Sequence, residues 1–291
     1  MNLKEGKDKA KKFYDQEAQE YINQYKKNYN EYPANLLRLN FTIPLLKKNN
    51  IKTVLDTGCG TCGPLIRLLQ EGFKVKGFDF SEKMIDEGKK ELIKSGYDPD
   101  IIFKGDLEDE KIISDEKFDA VIAYGIFPHI IDENKALRNI SKVLKKNGKV
   151  FIEFRNDLFA TFSLNRYSID FFLNRLIDTT KLSEDVLKNL VEFYSKKLNV
   201  EKPKINSQGK ISYTDILAKF KNPLTIERDL FMPNNFTVNN IHFYHFHALP
   251  PIFEKQYPEL FFNLSMNMEK TDDPKGYLMA SAYVIEATKN D

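Results

Sequence analysis

The stretch Val54-Leu55-Asp56-Thr57-Gly58-Cys59-Gly60-Thr61-Cys62-Gly63-Pro64 constrains this chain more than any other, because it joins an apolar strand pattern to a glycine-rich turn and then to a helical pattern. Gly58 and Gly60 lack a Cβ, so the backbone there can take positive φ and let a ligand approach closely. Amides at the start of the following helix then point outward toward a nucleotide-like ligand. Gly58, Gly60 and Gly63 also satisfy the G-x-G-x-x-G spacing of dinucleotide sites, so the spacing alone does not say which nucleotide.

The strands that follow narrow the choice. Phe73 to Asp79 predicts a second strand whose closing acid lies about 20 residues past the glycines, where a carboxylate accepts hydrogen bonds from ribose hydroxyls. Ile101 to Leu107 predicts a third strand ending in Asp106, an acid that a plain NAD site does not require. Phe118 to Tyr124 predicts a buried fourth strand, and Ala136 to Val150 a helix, a glycine turn and a fifth strand. With Asp56 two residues before the first glycine, this series over residues 52–154 resembles the class I S-adenosylmethionine-dependent methyltransferases and their D-x-G-C-G-x-G loop. Cys62 stands where that family usually carries a third glycine.

The resemblance implies an α/β fold with a Rossmann-like seven-stranded sheet of order 3-2-1-4-5-7-6, strand 7 antiparallel, and S-adenosylmethionine as cofactor. Asp56 would lie near its methionine part, Asp79 at the ribose and Asp106 at the adenine amino group. Gly58, Cys59, Gly60, Phe80, Met84, Leu107 and Tyr124 would complete the cofactor wall. A leader similar to Phe-Tyr-Asp-x-x-Ala-x-x-Tyr runs through Tyr14 and Tyr21, which makes Tyr21 an expected lid contact.

At 291 residues the chain can bury a full core. The expectation is one domain over residues 1–291. Residues 1–47 form an N-terminal helical cap, 48–155 the cofactor-binding half, 156–222 a helical insertion after strand 5, and 223–291 the rest of the sheet. Helices are predicted over Ala10 to Lys26, Pro33 to Lys47 and Ser183 to Lys197, with a polar link over Glu201 to Lys210. A short helix follows over Pro223 to Phe231, then a sixth strand over Phe236 to Phe246 and a seventh over Gly276 to Ala287. Long insertions at the carboxyl edge of a sheet commonly shape substrate access.

Net charge is +2, from 44 basic and 42 acidic side chains, so no global field favours nucleic acid or an anionic membrane, and the expected partner is a small molecule. No run approaches the roughly 20 apolar residues of a membrane span, and Met1 to Lys9 lacks a signal peptide's apolar segment, so a cytoplasmic location is expected.

Both cysteines, Cys59 and Cys62, form a C-x-x-C in the glycine turn, which also fits a thiol-disulfide oxidoreductase. Among the four histidines, His129 follows the fourth strand and is the leading catalytic candidate, since neutral imidazole can take a proton from an acceptor hydroxyl. His245 and His247 share one strand face at the carboxyl edge, as substrate contacts, with His247 and Tyr167 the next catalytic candidates. Two histidines on one strand do not make a metal site, and none is expected. The stretch Glu153 to Ser168, with His245 to Pro251, resembles a subgroup associated with bacterial surface-polysaccharide biosynthesis. Arg155, Asn156, Arg166 and Tyr167 would then present donors and stacking surface to a sugar or phosphorylated acceptor. The expected activity is O-methylation of a small polar acceptor, a sugar or glycan precursor. N-methylation of a small amine is the alternative, and a non-catalytic cofactor-binding module a third reading.

Overall fold

The computed structural model describes the backbone of residues 3–26, 34–110, 116–198 and 219–290; the side chains of 3, 4, 17–26 and 166 lie outside the described part. Tyr21, Arg166 and the link Glu201 to Lys210 therefore carry no structural account here. Two helices lead, α1 (Leu3–Lys26) and α2 (Ala34–Lys48). A βα series follows: β1 (Thr53–Thr57), α3 (Gly63–Gln70), β2 (Lys74–Asp79), α4 (Glu82–Lys94), β3 (Ile102–Lys104), β4 (Phe118–Ala123), α5 (Glu133–Val143) and β5 (Leu144–Asn156). The insertion carries α6 (Ala160–Ser163), α7 (Arg166–Phe171) and α8 (Glu184–Leu198), and the chain closes with β6 (Phe220–Lys221), β7 (Phe236–Phe246), α9 (Pro258–Met266), α10 (Gly276–Met279) and β8 (Ala280–Lys289).

Helix starts follow side-chain chemistry. Ser81 Oγ accepts the Met84 amide at 3.1 Å to cap α4, and Asp132 accepts the Lys135 amide at 2.9 Å to cap α5. At the start of α3, Cys62 takes a left-handed φ of 66°, the conformation that favours a glycine at this position.

The sheet runs β3-β2-β1-β4-β5-β8-β7, with β8 antiparallel to both β5 and β7. This is the expected order, with β8 and β7 in the places of strands 7 and 6. The sheet has an eighth strand beyond the expected seven: β6 returns from the insertion and pairs with the far end of β5, Arg155 opposite Phe220 and Asn156 opposite Lys221. Two residues are too short for a periodic signal, so only the tertiary pairing makes them a strand. The last strand also starts later than its apolar run suggests. Gly276–Met279 form a helical turn whose carbonyls from Gly276 and Tyr277, with that of Ala280, receive the Asn156 amide. Over 223–231, the chain forms turns and a wide helical turn at Glu227–Phe231 instead of a regular α-helix.

Alternation along the strands sends successive side chains to opposite faces, and both faces are covered. Val54, Ala120, Ile122 and Phe151 pack with Leu39, Ile43 and Leu46 of α2 and with Leu65 and Leu68 of α3. Leu55, Val121, Val150 and Ile152 pack with Ala136, Leu137 and Ile140 of α5 and with Leu230 and Phe231. No helix among the described residues is long and apolar enough to cross a membrane.

One buried acid ties the sheet edge to α2. Glu286 on β8 accepts from Asn240 (3.1 Å) and pairs with His242 (3.2 Å), both on β7, and accepts from Asn49 (3.2 Å) just past α2. The His242 hydrogen bond is the main reason its carboxyl sits at about 2, below the ordinary 4.5. A folded value below the unfolded one adds stability above pH 4.5 and loses it as pH falls toward 2. We expect Glu286→Gln to lower stability at pH 7 and to flatten the fall in melting temperature between pH 5 and 2, as followed by circular dichroism.

Candidate active site

The parallel strands end at one edge of the sheet, where a cavity of about 810 Å³ opens. That lies toward the upper end of ligand-sized cavities, about 300–1,000 Å³. One half is built by the turn after β1 and the ends of β2 and β3. Asp56, Gly58, Cys59, Gly60, Asp79, Phe80, Met84, Asp106, Leu107 and Tyr124, each expected at the cofactor, all reach its wall. Asp79 accepts the Gly60 amide at 3.0 Å on one oxygen and the Ser81 amide at 2.8 Å on the other, so the carboxylate is held rigidly against the glycine turn.

Burial dominates the electrostatics of this half. It raises Asp56 to about 7 and Asp79 to about 6, both from 3.8; the Arg38 cation offsets part of the first shift, and the Ser81 and Gly60 amides part of the second. The thiols are buried too. Cys59 is pushed well above the usual thiol range by its hydrogen bond to Cys62 and by burial. A redox-active cysteine needs the opposite, a lowered pKa and access, so the environment argues against the oxidoreductase alternative.

The other half lies between the end of β5, the insertion and the end of β7. Arg155, Asn156, Tyr167 and His245 line it, together with Phe159, Phe220 and Ser281. Asn156 reaches the wall, but its amide is committed to the three carbonyls around α10 and its oxygen accepts the Leu158 amide at 3.1 Å, so it serves as a staple. His245 departs from strand geometry with a left-handed φ of 58°, and its Nδ1 meets Ser281 Oγ at 2.8 Å. His247 does not line the cavity. The strand has ended at Phe246, the His247 amide donates to the Met279 carbonyl, and the ring packs against Phe159 and Phe261. Burial lowers His245 to about 4 and His247 to about 3, so both are neutral at pH 7 and weak as bases.

His129 does line the cavity, in a short helical turn after β4, and its Nε2 lies 2.9 Å from the Tyr14 hydroxyl of α1. Helix α1 spans the glycine-turn half on three further contacts: Lys7 pairs with Asp106 (2.7 Å) and Glu108, and Ser81 Oγ donates to Asp15 at 2.5 Å. Among the described residues no three His, Cys, Asp or Glu side chains converge as a metal site would need.

Arg38 and Glu153 were not legible as site residues. Arg38 lies on α2, with its guanidinium 4.4 Å from the centre of the Tyr124 ring and ion-paired to Glu153 of β5. No motif marks Arg38, and the stretch Glu153 to Ser168 contains Glu153 without giving it a role; a charged pair buried at 6% and 12% side-chain exposure exists only once α2 is docked.

The chain resembles known proteins in sequence and in fold. The methyltransferase domain family matches residues 48–289. The chain belongs to that family. Mouse glycine N-methyltransferase is 32% identical over 150 residues, 47% of this chain and 49% of that protein. The ubiquinone biosynthesis O-methyltransferase of Bartonella quintana is 27% identical over 157 residues, 51% of this chain and 61% of that protein. The chain thus spans about half the length of the curated relatives it matches. Among solved structures, magnesium protoporphyrin IX methyltransferase from Synechocystis PCC 6803 with bound SAH superposes with a TM-score of 0.55 at 14% identity, covering 98% of this chain and 100% of that one. The fold is therefore that of the S-adenosylmethionine-dependent methyltransferases.

Asp56 supplies a test of the cavity's electrostatics. Its folded pKa lies above its unfolded value, so stability of the unliganded protein should fall as pH rises from about 4 to about 7 and then level off. Asp56→Asn should make that fall shallower and end it near pH 6, where the remaining contribution of Asp79 levels off, measured as urea midpoint against pH.

Proposed function

We propose that this cavity binds S-adenosylmethionine and that the chain transfers its methyl group to a small polar acceptor, with a sugar or glycan-precursor hydroxyl the first class to test. The observation that carries this reading is the continuity of a three-acid, glycine-turn half with a second polar half containing Arg155, Tyr167 and His245. The donor set suits the cofactor. Asp79 spends one amide on each oxygen, and a carboxylate has about four lone-pair sites, so two ribose hydroxyls can still be accepted. Asp106, two residues past β3 and paired with Lys7, would take the adenine amino group, and Arg38, whose cation bears on Asp56, the methionine carboxylate. When bound, the cofactor supplies an electrophilic methyl group on a sulfonium.

The chain's own residues then hold the acceptor in line and deal with its proton. Arg155 offers a planar cation to an anionic group, and the Tyr167 and Phe220 rings, with centroids 5.2 Å apart, offer stacking surface. His129 would take the proton on Nδ1, in the tautomer whose Nε2–H donates to the Tyr14 hydroxyl and fixes the ring. Most of the acceleration would come from alignment. N-methylation of a small amine is the second reading, favoured by the match to a glycine N-methyltransferase and by the Glu153 carboxylate on the cavity wall.

Incubation with methyl-labelled cofactor and a metabolite extract, followed by mass spectrometry, tests the class of acceptor; label appearing only on amines would overturn the hydroxyl reading. S-adenosylhomocysteine should bind in the micromolar range or tighter, and NAD should not compete. Asp79→Ala should weaken that binding by about 1.5–3 kcal/mol through lost hydrogen bonds to a charged group, read by calorimetry. His129→Asn should reduce turnover by about 100-fold to 10,000-fold at nearly constant cofactor affinity, since the lost interaction belongs to the transition state. A structural histidine would instead lower melting temperature and leave the saturated rate near normal.

A further inference from the structure

Glu153 projects from the end of β5 into the cavity wall between its two halves. Its Oε2 accepts the Gly125 amide at 2.9 Å and is ion-paired with Arg38 Nη1. Each partner opens a mechanical path. Gly125 begins the loop after β4 with a left-handed φ of 72°, and the next residue, Ile126, packs onto Gly58 so closely that a Cβ there would overlap its Cγ2. Three residues further on is His129, whose amide donates back to the Ile126 carbonyl at 2.9 Å. Arg38 lies over the Tyr124 ring, and its cation bears on the Asp56 carboxyl. Tyr124 is itself clamped, its hydroxyl 2.5 Å from Thr42 Oγ1, which in turn donates to the Arg38 carbonyl at 2.7 Å.

On the reading of the cavity as a methyl-transfer site, we infer that Glu153 is a positioning residue for the reaction: one carboxylate oxygen sets both the loop that carries His129 and the α2 guanidinium beside the glycine turn. It acts through Gly125, Ile126 and Arg38. The loop needs such a hold, because Gly125 has conformational freedom and sits where β4 has already ended. A carboxylate shared between an amide and a guanidinium, both charge-assisted, fixes the two directions at once. Placement errors of about 1 Å near reacting atoms cost on the order of 100-fold in rate, so a remote anchor of this kind has a large effect without touching the acceptor.

Glu153→Gln is the discriminating variant. Its side-chain oxygen can still accept the Gly125 amide, but it cannot form an ion pair with Arg38. Glu153→Ala removes both. The readouts are calorimetry with S-adenosylhomocysteine and the ring ¹⁵N–¹H correlation of His129, identified by its loss in His129→Asn, each taken where thermal melts show the variant folded. We expect the Gln variant to bind about 10-fold more weakly and the Ala variant to weaken binding further and move the His129 signal. Wild-type affinity in the Gln variant, or an unmoved His129 signal in the Ala variant, overturns the proposal. Should the Ala variant fail to fold, Glu153→Leu with Arg38→Met replaces the buried pair by apolar groups, and an unmoved His129 signal there has the same consequence. Failure of the wild-type protein to bind S-adenosylhomocysteine would instead remove the reading of the cavity itself.

Discussion

The parallel register of β1 with its two neighbours is the constraint on which the rest depends. Asp56 lies opposite Gly77 of β2 and Ile122 of β4, so these three strands reach the same edge with Asp79 and Gly125 just beyond. Parallel pairing requires a crossover for each strand, and the helices that supply it cover both faces of the sheet. All the chemistry collects at the carboxyl edge because the side chains that leave the sheet there are no longer committed to either core. The β5–β4 pairing, Val121 with Val150 through Ala123 with Ile152, extends that edge to Glu153 and Arg155.

That edge is expensive to build. Asp56 and Asp79 are 4% and 6% exposed, and burial holds both above the ordinary carboxylate range. Both are desolvated acids with partial compensation, from the Arg38 cation for Asp56 and from the Ser81 and Gly60 amides for Asp79. The fold tolerates the cost because other groups work in the opposite direction: Glu286 is stabilised by its polar partners at the far side of the sheet.

Elements outside the βα series complete the cavity. Helix α1 lies across the glycine-turn half of the cavity through Lys7, Tyr14 and Asp15, while α2 contributes Arg38. From the insertion, Arg175 joins Asp157 to Asp170, Lys221 pairs with Glu133 at 2.5 Å, and the Lys219 amide donates to the Pro128 carbonyl at 3.1 Å. The segment bearing His129 is therefore held by α1 on one side and by the insertion's return strand on another.

Local signals determined a great deal. The glycine turn and the strand alternation made β1 to β5 legible, because each rests on contacts close in sequence or on a strict period of two, and the family resemblance those strands carry implied the sheet order that the structure has. Tertiary structure decided the rest. Arg38 meets Glu153 across 115 positions, a pairing no local pattern encodes. His245 and His247 were read as one strand face, yet a left-handed residue and the end of β7 place only His245 on the cavity. Asn156 has the donors for an acceptor but spends them on carbonyls around α10 that come near it only through the β5–β8 pairing. A sequence by itself states which groups are available and which face they share; which of them remain available for a ligand depends on the partners that long-range packing brings to each.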